Sequence, residues 1–431
     1  MVSYIRILKR YSFIPQTAET TIYFMEGDDT MQNIRNITDK ILWVGASDRR
    51  LHLFENMFPI PDGVAYNSYV ILDEKTAILD TADSSVSRQY LENLTAALGG
   101  RQPDYLVVNH MEPDHCADIA ELARLYPAMQ IVGNQKTFGL MKQFYNMDLE
   151  GRTLTVKEGD VLDLGEHKLT FVMAPMVHWP EAMMTYETTH KILFSADAFG
   201  SFGALDGAVF NDENRDPHGL HSEMRRYYSN IVGKYGMQVQ AVLKKAAGLE
   251  IAMICPLHGP VWREDLGWLL DKYQKWSSYT PEENTVAIFY GSMYGNTAEA
   301  ADLLAGKLAA AGVKGVTVRD VSKTDVSYLI SDVFRASHLV LAAPTYNNGL
   351  YPKMANFIED MKALNVQNRT VSIIENGSWA PQSGKIMRAM LGEMKDMTVL
   401  EKSLTVRSAL KEEQLSVLDE MTAEILASLN K

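Results

Sequence analysis

Cysteine is almost missing from this chain: its 431 residues hold only Cys116 and Cys255, and no Cys-x-x-Cys pair occurs. That excludes a disulfide framework, a thiolate zinc knot and a fused rubredoxin-type iron site, and it fits a reducing compartment, the cytoplasm. No apolar run approaches the ~18 residues that a membrane-spanning helix needs. Residues 1–30 carry Lys9 and Arg10 but lack a continuous apolar stretch and a small-residue cleavage site. They read as an extension of unknown role, not as a signal peptide. Basic side chains are in deficit, 41 against 54 acidic ones, and the net charge of -13 argues against nucleic acid or an anionic membrane as the main partner. The Gly-x-Gly-x-x-Gly fingerprint is also missing, so no nicotinamide cofactor is expected.

The length asks for two domains, and 46% hydrophobic with 22% charged residues is an ordinary globular balance that rules out a disordered or fibrous chain. From about Ile41 short apolar runs alternate with turn signals. Asn67–Leu72 and Thr76–Leu79 read as a strand hairpin, with further strands at 105–109, 169–174, 191–195 and 251–255 and a helix over 117–126. This is a mixed α/β layer arrangement, placed over residues 31–280. The polar segment Tyr279-Thr-Pro-Glu-Glu-Asn284 is the expected linker. Over 284–431 strands and helices alternate strictly, which predicts a doubly wound parallel sheet.

The sharpest chemical signal follows the strand at 105–109: His110-Met-Glu112-Pro-Asp114-His115. In an extended segment alternate side chains share a side, so His110, Glu112 and Asp114 are expected to converge on one point, with His115 offset. His178, Asp197 and His258 each follow an apolar run of strand character, and strand ends are where an α/β scaffold places polar chemistry. These residues resemble the metallo-β-lactamase-like zinc motif His-x-His-x-Asp-His, with Glu112 where that pattern has its second histidine. Mixed carboxylate and imidazole donors suit iron or manganese better than zinc. Two ferrous ions bring four positive charges; Glu112, Asp114 and Asp197 offset three, leaving a hydroxide as the natural fourth anion, with Asp197 chosen as the bridge.

The second half opens with a strand, then Gly291-Ser292-Met293-Tyr294-Gly295-Asn296-Thr297, then a helix. Such a loop at a helix N-terminus offers N–H groups and the positive dipole end to a phosphate. Two further loops fall at the carboxyl ends of the third and fourth strands of that sheet: Ala343-Pro344-Thr345-Tyr346-Asn347-Asn348-Gly349 and Glu375-Asn376-Gly377-Ser378-Trp379-Ala380. Asn347, Asn348 and Gly349 suit the polar edge of an isoalloxazine, and Trp379 offers a face for stacking.

A metallo-β-lactamase-like αββα sandwich followed by a flavodoxin-like doubly wound domain resembles the flavodiiron proteins, or A-type flavoproteins, from about Ile37 to the C-terminus. The resemblance implies flavin mononucleotide (FMN) and a diiron centre that reduce dioxygen to water, nitric oxide to nitrous oxide, or both. It implies one iron on His110, Glu112, His178 and Asp197 and the other on Asp114, His258 and Asp197, with His115 either binding the second iron or leaving its place to water. The electron count fits: two ferrous ions and a reduced flavin hold the four electrons that dioxygen needs, and a pair of nitric oxides needs two. The two sites lie on separate domains, so the resemblance also implies a head-to-tail homodimer or a dimer of dimers, with a small carrier protein, rubredoxin by analogy, as electron donor. Trp179 and Phe199, close in sequence to ligands, are the expected walls of a gas pocket. The rival reading is a dizinc hydrolase carrying an accessory flavodoxin module.

Overall fold

The structure is a computed structural model that describes residues 32–214 and 216–430; the extension expected over residues 1–30 lies outside them. The first half is built on two packed sheets. The larger runs, in spatial order, Arg35–Asn36, Ile41–Trp43, Tyr69–Leu72, Thr76–Leu79, Tyr105–Val107, Gln130–Gly133 and Thr153–Thr155, antiparallel at first and parallel from Thr76–Leu79 onward. The smaller runs Val161–Asp163, Lys168–Met173, Met183–Glu187, Ile192–Phe194 and Met253–Cys255.

Both faces of the central strands are covered, which is why they read as unbroken apolar runs. Along each strand the pleat sends successive side chains to opposite faces. Tyr69, Leu79, Val107, Phe171, Met183 and Phe194 fill the layer between the sheets. Their sequence neighbours Val70, Ile78, Leu106, Val172, Met184 and Leu193 point outward. There they meet helices Ser87–Leu98, Ile119–Leu125 and Gln135–Phe144 on one side and Gly236–Ala246 on the other. The result is an αββα sandwich.

The second half is a parallel sheet of five strands in the order Thr317–Asp320, Glu283–Tyr290, Ala336–Tyr346, Arg369–Asn376, Met397–Val406. Helices Asn296–Ala310 and Leu415–Leu429 cover one face, and Val326–Arg335, Pro352–Ala363 and Ser383–Gly392 the other. Strand order reverses between Glu283–Tyr290 and Ala336–Tyr346, and in such sheets the crevice at the carboxyl ends beside that reversal is where ligands bind. Among the described residues no helix is long and apolar enough to cross a membrane.

The expected linker is tightly held. Tyr279 is buried, its hydroxyl donates to the Gly233 carbonyl at 2.9 Å, and its own carbonyl accepts from Arg369 Nη1 at 2.8 Å. Glu282 has no exposed side-chain area; His221 Nε2 at 2.5 Å, Arg225 Nη1 at 3.1 Å and Lys272 Nζ at 2.6 Å surround it. Burial would raise this carboxyl, but His221, Arg225 and Lys272 outweigh it and hold it far below the ordinary glutamate range. Arg225 in turn donates to Ser331 of the second half at 3.1 Å. Replacing Glu282 by Gln leaves this group of cations without its counter-charge, and urea unfolding should show a loss of about 3 kcal/mol at neutral pH. A depressed folded pKa stabilises above the unfolded value and loses that contribution as pH falls, so the gap between wild type and E282Q should narrow below about pH 4.

Candidate functional site

Four strand ends deliver the candidate ligands. The chain leaves Tyr105–Val107 into the loop holding His110 and Glu112, then turns at once into the short helix Pro113–Cys116. Pro113 sits at the first helical position, where its missing N–H is no loss. That helical turn changes one expectation. His110 and Glu112 converge as an extended segment predicts, but Asp114 and His115 rotate together to a second point.

The side chains therefore form two buried groups, His110, Glu112, His178 and Asp197 in one and Asp114, His115 and His258 in the other. Glu112 Oε2 lies 3.1 Å from His110 Nε2 and 3.0 Å from His178 Nε2. Asp197 joins the groups: its Oδ2 is 3.1 Å from His178 Nε2 and 3.3 Å from His110 Nε2, and its Oδ1 is 3.2 Å from His115 Nε2 and 3.8 Å from His258 Nε2. Asp114 Oδ2 completes the second group at 3.3 Å from His115 Nε2 and 3.2 Å from His258 Nε2.

Electrostatically this arrangement requires positive charge. Burial would lower the histidines, yet Asp197 and its neighbours raise His110 well above its ordinary value, and hydrogen bonds to Asp197 and Glu112 bring His178 to about 9. Burial would raise Asp197, and the His110 and His115 charges pull it well below the carboxylate range. Hydrogen bonding is also incomplete. Both Asp114 oxygens and Asp197 Oδ1 are buried without a hydrogen-bond donor, and the Nε2 atoms of His115 and His258 face each other at 3.0 Å. Buried acceptors crowded around a shared point are satisfied by cations bound between them. The donor set, two carboxylates and two imidazoles in one group and a shared carboxylate, an aspartate and two imidazoles in the other, fits a pair of iron ions.

Trp179 stands edge-on to His110, ring centres 5.4 Å apart at 87°. Phe199 packs instead on Tyr273, at 4.2 Å, inside the apolar core.

The three loops expected to hold a flavin come together around a cavity of about 620 Å³ at the carboxyl ends of the parallel strands. Ser292, Met293, Tyr294, Asn296, Thr297, Pro344, Thr345, Tyr346, Asn347, Asn348, Asn376, Gly377, Ser378, Trp379 and Ala380 line it. Gly295 and Gly349, expected in the same loops, are not among the lining residues. Gly295, at φ +94°, starts the helix Asn296–Ala310. Gly349 pairs with Tyr346 across a two-residue turn in which Asn347 and Asn348 both have positive φ. A Cβ on Gly377 would come within 2.7 Å of the Pro381 backbone, so that turn needs glycine. Ser408 also lines the cavity, its hydroxyl 2.9 Å from Ser378 Oγ.

Residues 64–259 match the profile of the ODP family beta lactamase and residues 288–398 that of Flavodoxin. The anaerobic nitric oxide reductase flavorubredoxin of Pectobacterium atrosepticum is 34% identical over 351 residues, 80% of this chain and 68% of that protein. The Shigella flexneri protein of the same name is 32% identical over 383 residues, 88% of this chain and 78% of its own. The chain belongs to the flavodiiron protein family. Its fold superposes on the rubredoxin oxygen:oxidoreductase of Desulfovibrio gigas with a TM-score of 0.85 at 28% identity, and on the flavodiiron protein of Giardia intestinalis with 0.86 at 25%. Each comparison covers 92% of this chain and 98% of the other.

Several residues that orient this family member's site carry no local sequence signal. Glu181 Oε1 accepts from His110 Nδ1 at 2.8 Å and from the Met111 N–H at 2.9 Å. His258 Nδ1 donates to the Ala65 carbonyl at 2.8 Å. Buried Asp80 accepts from Asn109 N–H and Nδ2, at 2.7 and 2.8 Å, and from the His110 N–H at 3.2 Å. Thr81 N–H and hydroxyl both donate to the His115 carbonyl at 2.9 Å. Backbone strain gathers here too, with Asp80 at φ +55° and Ala196, just before Asp197, at +51°. Outer partners of this kind set ligand tautomer and basicity. Glu181→Gln should therefore weaken metal binding by roughly 10–100-fold in a chelator competition, with circular dichroism unchanged.

Proposed function

We propose that this chain is a flavodiiron oxidoreductase that reduces dioxygen to water, nitric oxide to nitrous oxide, or both. The observation that carries the reading is the junction at Asp197, whose two oxygens belong to two different histidine–carboxylate groups. When bound, FMN and the two irons supply electron storage and the redox chemistry on the gas. His110, Glu112, His178 and Asp197 would hold one iron, and Asp114, His115, His258 and Asp197 the other. Glu181 and the Ala65 carbonyl keep the Nε2 atoms of His110 and His258 directed inward. The indole of Trp179 walls the first group and limits water there, while Phe199, packed on Tyr273 in the core, takes no part in that wall.

In the second half, Ser292–Thr297 would hold the flavin phosphate at the helix N-terminus. Asn347 and Asn348, in the turn closed by Gly349, would meet the ring's polar edge, and Trp379 and Tyr346 would offer aromatic faces to it. The rim is unusually open: Tyr294 is 92% and Trp379 85% exposed. Aromatic surface of this extent is suited to being covered, here by the metal-bearing half of a second copy in a head-to-tail dimer. The name of the Desulfovibrio protein includes rubredoxin and oxygen and that of the Pectobacterium protein nitric oxide. A rubredoxin-class carrier is proposed as the donor here, and the cytoplasm, which keeps buried Cys116 and Cys255 as thiols, as the location.

Protein reconstituted anaerobically should hold two irons and one FMN per chain and turn over oxygen or nitric oxide with reduced rubredoxin. Asp197→Asn should lose the iron and the turnover and keep the flavin. Zinc alone after careful iron loading would favour the hydrolase reading instead. Dilution past dimer dissociation should stop turnover with both cofactors still bound; a fully active monomer contradicts the shared site.

A further inference from the structure

At the end of the smaller sheet remote from Asp197, two tight turns bring three more donor side chains together. His167 immediately precedes the strand Lys168–Met173, Glu187 ends its antiparallel neighbour Met183–Glu187, and His190 lies in the turn that follows. His178 lies beyond the opposite end of the same strand pair. At ~3.3 Å per residue the intervening strand is about 17 Å long, so the two sites are separate.

One donor atom of each of these three residues lies within 4.8 Å of the other two. His167 is fully buried, and its ring is fixed. Its backbone N–H and its Nδ1 both meet Asp73 Oδ2, at 2.7 and 2.8 Å. A carboxylate only accepts, so Nδ1 carries the proton and Nε2 is left with its lone pair. That Nε2 is buried and has no hydrogen-bond partner. Glu187 also has no exposed side-chain area, and the N–H groups of Thr189 and His190 hold its carboxylate at 2.6 and 2.8 Å. Each carboxylate oxygen keeps a free lone pair after accepting one such bond. The His190 ring stacks on His167 with centres 5.3 Å apart at 21°, its Nδ1 lies 3.4 Å from Glu187 Oε2, and its side chain is 38% exposed. The third donor can therefore swing inward while the other two are already set.

We propose that His167 Nε2, Glu187 and His190 form a metal site, distinct from the diiron centre, that takes a borderline divalent cation of the zinc class. Two imidazoles and one carboxylate make the three-ligand set found with zinc, with a water in the fourth place on the exposed side. Asp73, His167 and the ion would then form a carboxylate–histidine–metal relay that fixes tautomer and ring orientation. The ion ties the turn at 163–168 to the turn at 188–191, and by binding only the folded chain it raises thermal stability. This inference rests on residues outside the reductase reading and does not depend on it.

The test is calorimetric titration of the iron- and FMN-containing protein with zinc chloride, followed by desalting and metal analysis. Wild type should take up one zinc per chain, keep its iron and flavin, and melt at a higher temperature with zinc than without. His190→Ala, at an exposed position, should retain iron, flavin and fold but lose that equivalent and the melting shift, and Glu187→Gln should lose them as well. Equal zinc uptake by wild type and H190A, uptake matched by iron release, or no uptake by wild type would each overturn the assignment.

Discussion

The structure depends on one buried carboxylate. Asp197 is 1% exposed, and its two oxygens face four imidazole nitrogens drawn from loops far apart in sequence. An isolated charge at such a depth costs several kcal/mol even after the protein relaxes, so its position is tenable only while cationic partners surround it. That requirement sets the architecture. Both sheets must end at the same place, the loops leaving them must bring their histidines to within about 3 Å of shared points, and no wider opening can admit enough water to compete for the carboxylate. A sandwich of two sheets with helices outside meets these demands, because its rigid strand ends place side chains more accurately than free loops do.

How much of this was legible in the sequence follows from the range of each interaction. His110, Glu112, Asp114 and His115 sit in six residues, and the apolar runs before His178, Asp197 and His258 mark strand ends, so local pattern was enough to single them out. Local pattern failed where the chain turned within the motif: Pro113 opens a helix that sends Asp114 to a different point from Glu112. It failed again for the residues that position the ligands, since Glu181 is 71 residues from His110 and Asp80 is 30, and each is an ordinary acid in an ordinary loop. The flavin cavity was easier, because a parallel sheet places successive βα loops at one edge by topology alone; only Ser408, beyond the last strand, carried no sign of belonging there. The polar segment at 279–284 read as a connector, yet the Glu282 side chain has no exposed area there because the cations that neutralise it come from helices before it in the chain.

The two halves handle polarity in opposite ways. In the first, charge is buried and must be balanced inside; in the second, the cavity is lined by hydroxyls, amides and backbone groups, and its aromatic rings lie at the surface. The difference suits the proposed cofactors. Bare ions need protein donors for most of their ligands, a position left for water or the gas, and a dry surround in which electrostatic interactions are strong. A flavin nucleotide brings its own charge and ring, needs phosphate and edge recognition, and must leave part of its ring accessible to whatever exchanges electrons with it.

One device recurs at three imidazoles of this chain: Nδ1 is tied to an oxygen that can only accept, and Nε2 is thereby left as the donor. Glu181 does this for His110, the Ala65 carbonyl for His258, and Asp73 for His167. At His115 this tie is missing. Its Nδ1 is buried with no hydrogen-bond partner, and its ring meets Asp114, Asp197 and the rings of His110, His258 and Tyr66. A ring with no bond at Nδ1 has neither a tautomer fixed from outside the centre nor a hydrogen bond there opposing rotation about its side-chain torsions, so it is more easily exchanged for water than the tethered His110 or His258. The two alternatives open at His115 thus correspond to a physical difference: its ring reaches the second group and Thr81 anchors its carbonyl, but no hydrogen bond from outside the group fixes its Nδ1.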